Sequence, residues 1–425
     1  MPVSSNNNKV EQTKLEESTP INLTRKYVMD QAGEIEKKLL RKLCEHIESG
    51  AFSVVFWDGT EEKYGDGTPF FKLIIRDRSL IGKLMKNPSL AFCEAYVDGL
   101  IELEGHIEEV IRLIHLNKNL IEKYEVGKTG RKVTSMLHKS VIERQKKEVS
   151  HHYDLGNDFF ALWLDPTMSY SCAYFCSPDD TLEKAQLQKI DHTLMKLQLK
   201  PGEKLLDIGS GWGWLIIRAA RQYGVKATGI TVSKEQHDRT KQRIEELELG
   251  HLVDVLLMDY RELAATGNKF DKVVSVGMFE HVGQGGMPVY MAAIRDMLKT
   301  GGLSLLHTIT HTTEGPVNPW IEKYIFPGGY IPSLRETVWL LPEYDFNLLD
   351  VECLRMHYAM TLDHWAANFE KNLKIVREKF DERFIRMWRM YLQSCAASFR
   401  YSGLSIHQLL FSKDLNNSLV LTREY

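Results

Sequence analysis

Between residues 204 and 309 the chain alternates short apolar runs with longer amphipathic ones, and this alternation restricts its fold more than any other feature. KLLDIG is followed by LIIRAARQYG, KATGIT by KEQHDRTKQRIEELELG, and VDVLLMD and KVVSVG by YMAAIRDMLKTGG and then LSLLHTI. Strands separated by helical patterns require crossover connections, so the segment is expected to build a parallel sheet covered on both faces. In such sheets ligands sit beyond the carboxyl ends of the strands. Glu280 and His281 follow the run KVVSVG, at such an end. An acid and an imidazole closing a buried run are therefore candidates for chemistry. Beyond Gly329 the apolar periodicity is helical, as in HYAMTLDHWAANFEKNL and RFIRMWRMYLQSCAASFR, and predicts a helical cap or extension with no further strand–helix alternation.

The other bounds are simple. A chain of 425 residues, 43 % hydrophobic and 26 % charged, is long enough for two or three domains. No apolar run approaches the roughly 20 residues of a membrane span, so any membrane contact is expected to be peripheral. Residues 1–24 are polar, lack an apolar signal core, and are expected to be disordered and not to direct export, which places the chain in the cytoplasm. Residues 25–127 mix helical patterns with strand-like FSVVFW and FFKLIIR and predict a small α+β domain. Residues 128–150 form a basic linker: seven Lys or Arg lie between Lys128 and Lys147, with Glu143 and Glu148 as the nearest acids. That linker suits either a solvated connector or contact with anionic lipid. A formal net charge of −3 gives no general case for nucleic acid. Six scattered cysteines suggest no disulfide framework, and Cys172 with Cys176 lacks the C-x-x-C or His cluster of a metal site.

In LLDIGSGWGW, residues 205–214, Gly209, Gly211 and Gly213 stand between a strand and a helix, where they let backbone approach a ligand at a helix N-terminus. The spacing G-x-G-x-G departs from the dinucleotide pattern G-x-G-x-x-G, and Asp207 lies in the preceding strand. Both details resemble the first motif of S-adenosylmethionine-dependent methyltransferases, against the alternatives of a nicotinamide site or a structural turn. In that family the strand acid lies near the methionine amine. Many members carry a second acid after the next strand to hold ribose; GITVSKEQ offers Thr231, Ser233 and Gln236 instead.

Taken in order, HHYDLGNDFFALWLD, MSYSCAYF, LLDIGSGWGW, GITVSKEQ, MFEHVG, LLHTI and WIEKYIFPGGYIPS resemble the cyclopropane-fatty-acid synthase family over roughly residues 140–410. The resemblance implies a Rossmann-like class I methyltransferase domain over 151–425, and an N-terminal domain like that of the bacterial phospholipid-acting members. It also implies a homodimer working peripherally at the inner face of the cell membrane. The implied reaction adds a methylene from S-adenosylmethionine to a cis double bond in a phospholipid acyl chain and closes a cyclopropane ring. A related methyltransferase that stops at a methyl or methylene branch, and a lipid-binding protein without catalysis, are the alternatives. By resemblance Tyr153, Tyr170 and Ser171 close over the cofactor, Thr231 and Gln236 lie near its ribose and methionine ends, and Asp259 and Tyr260 lie near its adenine.

Methyl transfer to an alkene leaves a carbocation, which aromatic faces stabilise. Tyr170, Tyr174, Phe175, Trp320, Tyr324, Phe326 and Tyr358 are the candidates. Ring closure then needs a base. Glu280 could serve directly, with His281 assigned to packing or orientation. The resemblance implies instead a bound bicarbonate held by Glu280, His307 and Tyr358 and by backbone groups at Cys172 and Ile309. Glu280 is expected to end the fourth strand of the sheet and His307 the fifth.

Overall fold

The computed structural model describes residues 33–42, 44, 45, 47–117 and 155–422. The polar start, the basic linker and Tyr153 lie outside the described residues. Strands β1 (Ala51–Val55), β2 (Glu61–Gly65), β3 (Lys72–Ile75) and β4 (Ile101–Glu104) form one sheet in the order β2-β1-β3-β4. Helices Pro88–Val97 and Ile107–Leu116 accompany it.

The large sheet has seven strands: β5 (Lys204–Ile208), β6 (Lys226–Thr231), β7 (Val253–Leu257), β8 (Phe270–Val276), β9 (Leu298–His311), β10 (Phe346–Cys353) and β11 (Leu404–Lys413). Their order is β10-β11-β9-β8-β5-β6-β7, and β11 alone runs against the others. Leu205, Leu206, Val273, Val274, Leu303 and Leu305 are completely or almost completely buried, as strands sandwiched by helices require. Helix starts are set locally. Thr181 caps Leu182–Lys196, Ser233 caps Lys234–Glu246, and Asp259 with Glu262 makes a capping box for Tyr260–Ala265.

Three expectations need correction. The region beyond Gly329 is not purely helical, because β10 and β11 complete the sheet there. Strand β10 carries Asp350 and Glu352 on the sheet's edge, and β11 carries His407 and Gln408 within an apolar run, so neither shows a clean strand pattern. Glu280 does not end a strand. Strand β8 stops at Val276, and Glu280 stands in the short 3-10 turn Phe279–His281. His307 lies within β9, which continues to His311 because β11 pairs with it from Leu303 to His311.

Helices Arg355–Lys371, Leu373–Lys379 and Glu382–Tyr401 form the cap, inserted between β10 and β11. Their inner faces bury Trp365, Phe369, Ile385 and Trp388 against Phe159, Phe160 and Trp163. Each such side chain contributes roughly 1.5–3 kcal/mol by leaving water. Helices Pro88–Val97 and Ile107–Leu116 pack against Glu382–Tyr401. Arg386 clasps this seam, donating to the carbonyls of Tyr96 (2.5 Å) and Ile101 (2.8 Å) while its guanidinium lies 4.3 Å from the Tyr96 ring centre. Arg383–Asp98 and Lys323–Glu94 pairs flank it.

Candidate active site

The glycine loop leaves β5 and is pinned to β6, where the Gly209 and Ser210 amides both donate to Ile230 O at 2.9 and 3.0 Å. Its glycines differ in what they require. Gly213, at φ +84°, opens helix Trp214–Tyr223, and a Cβ there would sit 2.3 Å from Thr240 Cγ2, so packing excludes a side chain. Gly209 backs onto Met278. Gly211, at φ +53°, faces open space.

That space is a cavity lined by Asp207, Gly209, Gly211 and Gly213 and also by Tyr170 and Ser171. Thr231, Gln236, Asp259 and Tyr260 line it too, so ten of the eleven expected cofactor residues meet there; Tyr153 is outside the described residues. Thr231 Oγ1 donates to Gln236 Oε1 at 2.7 Å, and the Asp259 carboxylate accepts from the Arg261 side chain at 2.8 Å. Ser233 serves as a helix cap and does not line the cavity. Asp207 is buried, its Oδ1 has no hydrogen-bond partner among the described residues, and burial pushes its carboxyl up to about 7 against the pull of Lys189. Lys189 was not foreseen. It reaches the cavity from helix Leu182–Lys196, donates to Ser171 Oγ at 2.8 Å, and is pushed down to about 8 by burial. A partnerless buried acid beside an open glycine fits an amine-bearing ligand, as the methionine end of S-adenosylmethionine requires.

The candidate catalytic residues occupy neighbouring ground. Glu280 Oε1 accepts the Ile309 amide at 2.6 Å, while Oε2 is buried without a partner among the described residues. Burial raises this carboxyl to about 7. The Ile309 amide is thus already engaged by Glu280. His307 is fully buried, its Nε2 also lacks a partner among the described residues, and burial keeps the ring neutral by pushing its pKa well below the usual value. The Tyr358 hydroxyl is held well above its ordinary pKa by burial, and Tyr170, Cys172 and Glu280 add to this, which puts the four in one electrostatic neighbourhood. Cys172 is buried, its thiol donates to Ala173 O at 3.2 Å, and burial pushes its pKa up, so it is no nucleophile. His281 lines the cofactor cavity and meets the Phe326 ring edge-on at 5.6 Å; burial lowers it to about 4.

An aromatic wall adjoins these groups. Tyr170 lies 5.2 Å from Trp163 and 5.3 Å from Trp365, Tyr358 lies 4.7 Å from Phe399, and the hydroxyls of Tyr170 and Tyr391 are 2.6 Å apart. Of the aromatics expected here, Tyr174 instead stacks between His192 and His357, Phe175 stacks on His357 and His364, and Tyr324 turns to Glu94 in the first domain. Trp163, Trp365 and Tyr391 were missed. They come from separate helices whose meeting leaves no mark in local spacing.

A mostly parallel seven-stranded sheet with a glycine cradle after its first strand and an acid beneath defines a class I S-adenosylmethionine-dependent methyltransferase. Residues 140–409 match the family described as mycolic acid cyclopropane synthetase, and residues 39–124 match one described only as a domain of unknown function. The chain belongs to the cyclopropane synthase family of these methyltransferases. It is 38 % identical over 355 residues to the cyclopropane-fatty-acyl-phospholipid synthase of Escherichia coli, covering 82 % of this chain and 90 % of that one. The probable fatty acid methyltransferase of Pseudomonas putida is 40 % identical, covering 87 % and 94 %. The cyclopropane synthase MmaA2 of Mycobacterium tuberculosis superposes with a TM-score of 0.60 at 36 % identity, over 63 % of this chain and 98 % of that one. The similar synthase CmaA1, at TM-score 0.59 and 36 % identity, covering 63 % of this chain and 98 % of that one, was solved with SAH.

Proposed function

We propose that the protein adds a methylene group to the cis double bond of unsaturated acyl chains in membrane phospholipids, forming a cyclopropane, and that bound bicarbonate takes the proton released. The observation that carries this reading is the pair of buried atoms without a partner among the described residues, Glu280 Oε2 and His307 Nε2, with the Tyr358 hydroxyl in the electrostatic reach of Glu280. Buried polar atoms without partners are costly, and a small oxyanion with one hydroxyl would satisfy both.

S-adenosylmethionine, when bound, supplies an electrophilic methyl group. Asp207 would hold its amine, with Tyr170 and Ser171 closing over it and Thr231, Gln236, Asp259 and Tyr260 along its length. The alkene needs no prior deprotonation, so the protein's task is to align the double bond and exclude water. The cation left on the acyl chain would face Tyr170, Trp365 and Tyr358. Bicarbonate held there would supply the base for one proton of the added methyl, the electron pair of that C–H bond closing the ring. Glu280 would accept from the bicarbonate hydroxyl while His307 and Tyr358 donate to its oxygens. Among the described residues no helix is long and apolar enough to cross a membrane. The acyl chain would therefore be drawn from the inner face of the cell membrane into the protein. The basic linker would dock on anionic lipid, and a homodimer is the proposed assembly.

A second reading is favoured by one relative. The tuberculostearic acid methyltransferase UfaA1 of Mycobacterium tuberculosis is 32 % identical over 88 % of this chain. Vesicles of oleoyl phosphatidylglycerol with methyl-labelled S-adenosylmethionine separate the two. Cyclopropane resonances in the product, and turnover that falls when bicarbonate is stripped and returns on its addition, support the proposal. A methyl or methylene branch replaces it with the second reading. Cyclopropane formation indifferent to bicarbonate returns the role of base to Glu280.

A further inference from the structure

Gln408 stands directly across the β9–β11 ladder from His307, and both are completely buried. Its Nε2 donates to His307 Nδ1 at 3.1 Å and to Thr193 Oγ1 at 3.2 Å. The Thr193 hydroxyl fixes which end of the amide points there. Its hydrogen goes to Lys189 O, one helical turn back, at 2.8 Å, which leaves this oxygen to accept from Gln408, whose own Oε1 is buried without a partner among the described residues. In this arrangement the donors run in one direction, from the Gln408 amide to His307 Nδ1, and that ring nitrogen presents a lone pair.

We propose that Gln408 is a positioning residue that locks His307 in the tautomer carrying its proton on Nε2. A neutral imidazole has one donor and one acceptor nitrogen, and the bond made by one decides the state of the other. With Nδ1 accepting from Gln408, the partnerless Nε2 is an N–H donor facing an acceptor yet to arrive. A single amide thus makes His307 a donor to an oxyanion and unable to act as a base. For the identity of that oxyanion this inference rests on the proposed function; the tautomer itself does not.

The test is long-range proton–nitrogen correlation on the full chain labelled with 15N-histidine, the His307 signal being the one lost in His307→Gln. The wild-type protein is expected to show the proton on Nε2. Gln408→Glu, whose carboxylate only accepts, should move it to Nδ1 and lower kcat by at least about tenfold, with KM for S-adenosylmethionine held within about twofold. Gln408→Met, which fills the site without a donor, should give both tautomers and an intermediate kcat. A wild-type ring protonated on Nδ1 overturns the proposal, as does a Gln408→Glu enzyme of unchanged kcat whose proton has moved. Should that variant not fold, the wild-type spectrum alone decides. Turnover indifferent to bicarbonate would remove the proposed oxyanion and leave the tautomer standing.

Discussion

Glu280 is a group that the fold holds at its own expense, and replacing it by glutamine should expose this. Its carboxyl is raised by burial from 4.5 in the unfolded chain to about 7 in the folded one. A folded-state value above the unfolded one means full stability below about pH 4.5 and loss as pH rises through about 7. Worked through the two ionisation equilibria, the loss is about 1 kcal/mol at pH 5 and about 3 kcal/mol at pH 8. Glutamine keeps an oxygen for the Ile309 amide and does not ionise. The stability of Glu280→Gln relative to wild type should therefore improve by between about 2 and 3 kcal/mol from pH 5 to pH 8, whatever constant offset the new amide introduces. Urea unfolding of the ligand-free protein at both pH values measures this. Turnover on vesicles should meanwhile fall at least about a hundredfold. Parallel stability profiles for the two proteins would refute the reasoning, because they would mean that Glu280 ionises in the fold as easily as in water.

Gly213→Ala should cost about 2 to 4 kcal/mol in urea unfolding, from its left-handed backbone and the overlap with Thr240, whereas Gly211→Val should fold and give no heat with S-adenosylmethionine in calorimetry. Normal cofactor affinity in a folded Gly211→Val protein would move the methionine end elsewhere. Arg386→Ala removes two bonds to carbonyls and a ring contact, and should weaken the seam with the first domain by about 2 kcal/mol. Faster hydrogen exchange in helix Pro88–Val97, with the β5–β9 core unchanged, is the expected signature; unchanged exchange would assign the seam to its apolar contacts.

The β5–β9 half of the sheet and its glycine loop were legible because period, loop chemistry and strand length all agree there. Strands β10 and β11 were not, since a strand interrupted by Asp350 or by His407 and Gln408 reads as polar until its neighbours are known. Glu280 and His307 stood out as polar residues closing apolar runs, although both were placed at strand ends that lie elsewhere. Lys189, Thr193 and Gln408 carried a weaker signal. Lys189 and Thr193 lie on the inward face of helix Leu182–Lys196, together with His192 and Lys196, a polar stripe where an apolar one is usual. Nothing local says what such a stripe meets. The aromatic wall is a product of tertiary packing and has no sequence period of its own.

The insertion of the cap between β10 and β11 also governs when an enzyme comes into being during synthesis. Strand β11 is made after every other strand, yet it sits between β9 and β10 and carries the amide that holds His307. A nascent chain can assemble the glycine cradle and fold its cap while the ladder beside β9 is still vacant, and domains do fold progressively as they emerge. Cofactor binding and catalysis would then appear in succession, the first with β5 and β6, the second only when Gln408 arrives. A chain released early would bind the methyl donor without aligning the imidazole, so unfinished copies would be silent towards the lipid.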